Sequence, residues 1–68
     1  MTSITKRVAA RIVELRQKRG MTQEDLASKT DLNRVTLARL ERAMHQPTLD
    51  TLDVIARALD VTLVDLVK

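Results

Sequence analysis

Apolar residues along the chain recur at intervals of three and four, and no stretch alternates between apolar and polar as a half-buried strand does. Val8, Ile12 and Leu15 form one such stripe and predict a helix from about Thr5 to Arg19, with Gly20 as its stop. A second helix is predicted over about Gln23 to Lys29. A third covers about Arg34 to Arg42, with Leu37 and Leu40 facing inward. A fourth covers about Leu49 to Leu59, where Leu52, Ile55, Ala56 and Leu59 keep helical spacing, and a fifth runs from Leu63 to the chain end. Val8, Ile12, Leu15, Leu26, Ala27, Leu37, Leu40, Leu52, Ile55, Ala56 and Leu59 are the expected core.

The helix starts are marked independently of the periodicity. Thr22 and Asp25 form a Thr-x-x-Asp capping box, and Thr62 and Asp65 repeat it. Asn33 and Thr48 are good N-caps without a reciprocal acid. The residue before a cap often packs on the residue four positions into the helix. Here those pairs are Met21 with Leu26, Leu32 with Leu37 and Val61 with Leu66, all apolar. The connections are short, and there is no internal repeat, linker or low-complexity tract.

The expected fold is therefore all-α, five helices in a single domain over residues 1–68. With 68 residues, no Cys and one His, neither a disulfide framework nor a Cys/His zinc site supports it. One Gly and one Pro are too few for a turn-rich β-sandwich or barrel. Phe, Trp and Tyr are absent, which argues against a reader of single strands that stacks bases on aromatic rings. No apolar run is long enough to cross a membrane. Lys6, Arg7, Arg11 and Glu14 interrupt any signal-peptide core near the N-terminus. The expected location is cytoplasmic.

Charge adds a direction. Residues 1–44 hold ten Lys/Arg against five Asp/Glu, and residues 45–68 hold two against four. A basic part joined to an acidic one suggests a face that meets a polyanion. Between the second and third helices only Thr30, Asp31 and Leu32 precede the Asn33 cap, which forces a large crossing angle that the small Ala27 allows. That is a helix-turn-helix arrangement, or else an ordinary corner of a small bundle. With Leu37 and Leu40 inward, Arg34, Val35, Ala38, Arg39 and Arg42 of the third helix are expected to face solvent: three guanidinium groups and no carboxylate. Arginine can bond guanine O6 and N7 in the major groove, and Val35 suits a thymine methyl.

The stretch MTQEDLASKTDLNRVTLARLER (21–42), followed by Pro47-Thr48-Leu49 and IARALDVTLVDL (55–66), resembles the phage-repressor and Cro helix-turn-helix family, also called XRE-like. The resemblance spans nearly the whole chain and is similar in scale to small stand-alone regulators such as restriction–modification controller proteins and some antitoxins. It implies a lambda-repressor-like, non-enzymatic domain of bacterial or phage, nucleoid-associated origin. It implies that Arg34, Val35, Thr36 and Arg39 read base edges or adjacent phosphates, and that Gln23, Asn33 and Arg42 contact the DNA backbone. Gln23 would do so at a helix N-terminus that already favours an anion. It also implies that Arg16 and Glu41 form a structural ion pair. Three departures stand out. Asp31 and Ala43 occupy places where the family commonly has Gly, and the Met44-His45-Gln46 loop is less basic than usual. A left-handed alanine is strained, so the third helix is expected to run on or the loop to differ.

The expected function is a sequence-specific regulator of double-stranded DNA that binds a palindrome as a homodimer, without cofactor or metal. The alternative is an antitoxin or a helical module that docks a partner protein; a toxin or RNA polymerase is a further possible partner. His45, in a polar loop, has no Cys or Tyr to work with, and no glycine-rich phosphate loop exists. Met1, Met21 and Met44 form no metal-binding pattern. Helix five carries more apolar residues than two turns can bury, so Val64 and Val67 are expected to pair with a second copy.

Overall fold

The computed structural model describes residues 3–68; Met1 lies outside them. Five helices occur among the described residues: α1 (Ile4–Lys18), α2 (Gln23–Ser28), α3 (Arg34–Glu41), α4 (Leu49–Ala58) and α5 (Leu63–Val67). The residues expected to end the helices, Arg19, Lys29, Arg42, Leu59 and Lys68, are the C-caps. The N–H of each C-cap still donates back into its helix, so periodicity reads it as one residue more.

Every helix starts in the same way. Thr22, Asn33, Thr48 and Thr62 each accept a bond from the backbone N–H three residues on. Ser3 caps α1 identically, from Lys6 N at 3.1 Å, and was not among the four expected. Both Thr-x-x-Asp boxes close, Asp25 Oδ2 accepting from Thr22 N at 2.9 Å and Asp65 Oδ2 from Thr62 N at 3.2 Å.

Three helices also end alike, with a left-handed residue just past the cap: Gly20 at φ 66°, Ala43 at φ 58° and Asp60 at φ 58°. The next amide turns back in each case, Met21 N to Arg16 O, Met44 N to Arg39 O and Val61 N to Ala56 O, all at 3.0 Å. These bonds satisfy carbonyls that the helix end leaves unpaired. The expectation that α3 runs on or the loop differs, to spare Ala43 a left-handed conformation, is therefore corrected: α3 ends at Glu41 and Ala43 adopts that conformation. Closing the α3 carbonyls and turning into α4 outweighs the roughly 1–2 kcal/mol that a left-handed alanine costs. Asp31 is not left-handed, so no glycine is needed between α2 and α3. Thr30 braces that turn instead, its Oγ1 donating to Ala27 O at 3.0 Å and accepting from Leu32 N at 3.1 Å.

All eleven expected core residues are buried, joined by Ala9 and Leu66. Met21, Leu32 and Val61, the outer halves of the three staples, pack partly buried against this cluster. α1 lies against α3 and α5, α2 against α3, and α4 against α5. Val67 is half-buried, because the fifth helix sits down on the core through Leu63, Leu66 and Val67. Val64 alone stays out, 65% exposed. No helix among the described residues is long and apolar enough to cross a membrane.

Candidate nucleic-acid interface

The core fixes which side of α3 is free. Leu37 and Leu40 are buried, so a 100° step per residue turns Arg34, Val35, Arg39 and Arg42 outward, and all four are exposed. Ala38, expected toward solvent, and Thr36 are half-buried at the edges of that face. Val35 is 53% exposed despite being apolar. Asn33, exposed at the helix start, uses its Oδ1 to accept from Thr36 N at 2.8 Å, which leaves its amide NH2 as a donor for another partner.

Behind the face lies a network that sequence spacing alone does not give. Arg16 of α1 forms a two-pronged pair with Glu41 of α3, Nε to Oε2 at 2.8 Å and Nη2 to Oε1 at 3.0 Å. Their side chains are only 12% and 4% exposed. The remaining terminal nitrogen of the guanidinium donates from Nη1 to Met21 O at 2.8 Å, just before α2. Gln23 then donates from Nε2 to Glu41 Oε1 at 2.9 Å. One buried carboxylate thus ties α1, α2 and α3 together, and every donor aimed at it is charged or amide. Gln23 is half-buried by this bond, yet its amide keeps one N–H and its carbonyl oxygen for another partner. A sequence hint existed only for Arg16 and Glu41; the Gln23 link depends on how α2 crosses α3.

The outward face of α3 carries no carboxylate of its own, but α2 brings one beside it. Glu24 of α2 comes to the edge of it, its Oε1 at 3.9 Å from Arg34 Nε. The two are ten residues apart and meet only because the helix-turn-helix crossing brings the N-termini of α2 and α3 side by side. A shallow groove between those N-termini is lined by Arg16, Thr22, Gln23, Glu24 and Arg34. Arg39 and Arg42 are in no ion pair among the described residues. No group of three or more His, Cys, Asp or Glu that could hold a metal ion exists among them either. His45 and Met44 are exposed in the loop after α3.

A helix-turn-helix family model matches residues 12–66, from the middle of α1 into α5. The chain belongs to the phage-repressor, XRE-like helix-turn-helix family of transcriptional regulators. It is 43% identical over 54 residues to the immunity repressor of Bacillus phage phi105, covering 79% of this chain and 38% of that repressor's length. It is 37% identical over 62 residues to an HTH-type transcriptional regulator of Sinorhizobium fredii, covering 91% of this chain and 80% of the relative. Among solved structures it is similar to the restriction–modification controller protein C.Esp1396I, seen as a tetramer with its natural 35 base-pair operator. That match has a TM-score of 0.85 and 30% identity, and covers 100% of both chains. The five-helix frame, with α2 and α3 as the helix-turn-helix, is the frame of these regulators.

Proposed function

We infer that this protein is a sequence-specific regulator that binds double-stranded DNA as a homodimer, with α3 in the major groove of each half of a palindromic operator. The observation that carries this reading is the outward face of α3, where Arg34, Arg39 and Arg42 surround an exposed Val35. Guanidinium forks match guanine O6 and N7, and a small apolar side chain among them matches a thymine methyl. The similarity to a controller protein held on its operator supports the same reading.

Arg34, Val35, Thr36 and Arg39 read base edges in this proposal. Asn33, through its free amide, Arg42 and Gln23 hold the backbone. The Arg16–Glu41 pair keeps α2 and α3 at the angle the groove requires. One such module reads few base pairs, so a second copy is needed, and the exposed Val64 with the half-buried Val67 on α5 supplies an apolar contact away from the basic face. Binding of wild type and variants to duplexes at several salt concentrations tests the assignment. Arg39→Ala is expected to weaken each half-site by roughly 1–3 kcal/mol and to flatten preference at one base pair. Gln23→Ala is expected to weaken binding evenly across sequences. Affinity is expected to fall steeply with salt. Salt-insensitive binding, or unchanged preference in Arg39→Ala, overturns these roles, and a protein that retards no duplex but captures a partner protein favours the docking module. Sedimentation of wild type and Val64→Asp checks the dimer; two identical monomers rule it out.

A further inference from the structure

Resting on the DNA-binding reading, we propose that Glu24 is a specificity residue of the interface, acting through Arg34. Its carboxylate approaches the Nε edge of the Arg34 guanidinium, at 3.9 Å. A guanidinium has two usable edges, and the pair of terminal Nη groups is the one whose fork spans guanine O6 and N7. A carboxylate on the Nε side therefore leaves the reading edge free while limiting where the fork can swing. Both side chains are open to solvent, Glu24 being 80% exposed, so the contact contributes little to folding. Its position is what matters. Glu24 lines the groove between the N-termini of α2 and α3, beside Gln23, where the DNA backbone passes in this reading.

Two consequences follow from one charge. On a matching site, Arg34 keeps Glu24 beside its Nε edge and takes guanine on the other edge, so the two contacts do not compete. On other sequences, Arg34 would gain by turning to the nearest phosphate; Glu24 holds it back and itself repels the backbone. The carboxylate thus weakens indiscriminate binding more than it weakens binding to the correct site. It is a positioning residue, since it reaches the bases only through Arg34.

The test uses the full chain and two probes: the duplex that wild-type protein enriches from a randomised library, and a scrambled duplex of the same composition. Glu24→Gln keeps the side-chain shape and removes the charge from an exposed position. It is expected to tighten binding to the scrambled duplex several-fold, with a salt dependence steeper by about one phosphate contact. Affinity for the enriched duplex is expected to change less, so the ratio between the two falls. In an Arg34→Ala background the same substitution is expected to leave the ratio unchanged. A ratio that holds or rises in Glu24→Gln overturns the proposal, as does a fall that persists without Arg34. If wild-type protein enriches no duplex at all, the DNA-binding reading falls and takes this one with it. If wild type enriches a duplex and Glu24→Gln behaves identically, only the role of Glu24 is lost.

Discussion

α2 and α5 are the two shortest helices, six and five residues long, and each opens with the same Thr-x-x-Asp box. Neither is long enough to persist alone in water. They differ in what holds them to the rest. α2 buries Leu26 and Ala27 and is tied through Gln23 to the buried Arg16–Glu41 pair. α5 buries only Leu66 completely, and its last carbonyls are met from α1: Arg11 Nε donates to Asp65 O at 3.1 Å and Arg7 Nη2 to Val67 O at 3.4 Å. Local capping is therefore the same device in both helices, while the tertiary anchor is a well-shielded charge network in one and more open contacts to backbone carbonyls in the other, part-buried from Arg11 and exposed from Arg7. A buried pair resists partial loosening, because breaking it leaves a charge without water. Open contacts can exchange for water, so the α5 end is expected to loosen gradually and the α2–α3 end only with global unfolding.

The sharpest way to break this comparison is to remove Glu41. Glu41→Ala leaves the Arg16 guanidinium buried with only the Met21 carbonyl, which is expected to cost about 3–5 kcal/mol. A domain of this size has a total stability near about 5 kcal/mol, so urea titration should find the variant largely unfolded. Replacing both partners by apolar residues, Arg16→Met with Glu41→Leu, is expected to recover most of the loss, since no charge then remains in the interior. A Glu41→Ala midpoint equal to wild type would show that the pair is not buried in solution.

The α5 end should respond less and more locally. Arg11→Ala removes a charged donor from a helix C-terminus, expected to cost about 1–2 kcal/mol. Amide exchange should quicken in α5 and stay unchanged in α2. Equal acceleration in both helices would mean that the two ends unfold as one unit, and the contrast drawn between them would fail.

What could be read from the sequence follows the same division. Caps, staples and core positions depend on residues three or four apart, and Thr22, Asn33, Thr48, Thr62 and the eleven core residues were legible for that reason. Contacts between helices were legible only in part. Arg16 and Glu41 were suggested by resemblance, whereas the Gln23 bond to Glu41 and the approach of Glu24 to Arg34 require the crossing angle of α2 and α3. The partial burial of Val67 was not legible either, because counting apolar residues on α5 does not say how deeply the helix settles on the core. Ala43 was misjudged because a residue's own preference was weighed without the hydrogen bonds that its left-handed turn completes.

The helix ends allow a finer version of the comparison. Gly20 leads from α1 toward α2, and Ala43 closes α3 in the same geometry with a Cβ present. Ala43→Gly relieves the left-handed strain but loosens the unfolded chain, for a net gain of about 0.5–1 kcal/mol. Gly20→Ala meets no neighbouring atom within 4 Å, so its expected loss of about the same size is backbone strain alone. Thermal midpoints moving in opposite directions in the two variants would support the equivalence of these turns. A lower midpoint in Ala43→Gly would contradict it.

The smallest expected effect concerns the two capping boxes themselves. Asp25 is held below the ordinary aspartate range first by the Thr22 backbone N–H, with the Thr22 side chain adding to it and Lys29 contributing less. Asp65 is held down first by the Thr62 backbone N–H, then by the Thr62 side chain and by Lys68, which lies 3.3 Å away. Both carboxylates bind their proton less readily folded than unfolded. Their contribution is therefore complete above the ordinary aspartate value near about 4 and is lost as pH falls through the lower folded values. Stability should decline in that acid window, and Asp25→Asn and Asp65→Asn should each make the decline shallower. Salt separates the two boxes. The bonds from threonine are short-ranged and barely screened, whereas the exposed Lys68 contact is weakened by ions. Carboxyl titration by NMR at low and high salt should therefore move Asp65 upward more than Asp25. Equal shifts would mean that Lys68 does not act on Asp65 in solution, and the two boxes would then be equivalent electrostatically as well as in sequence.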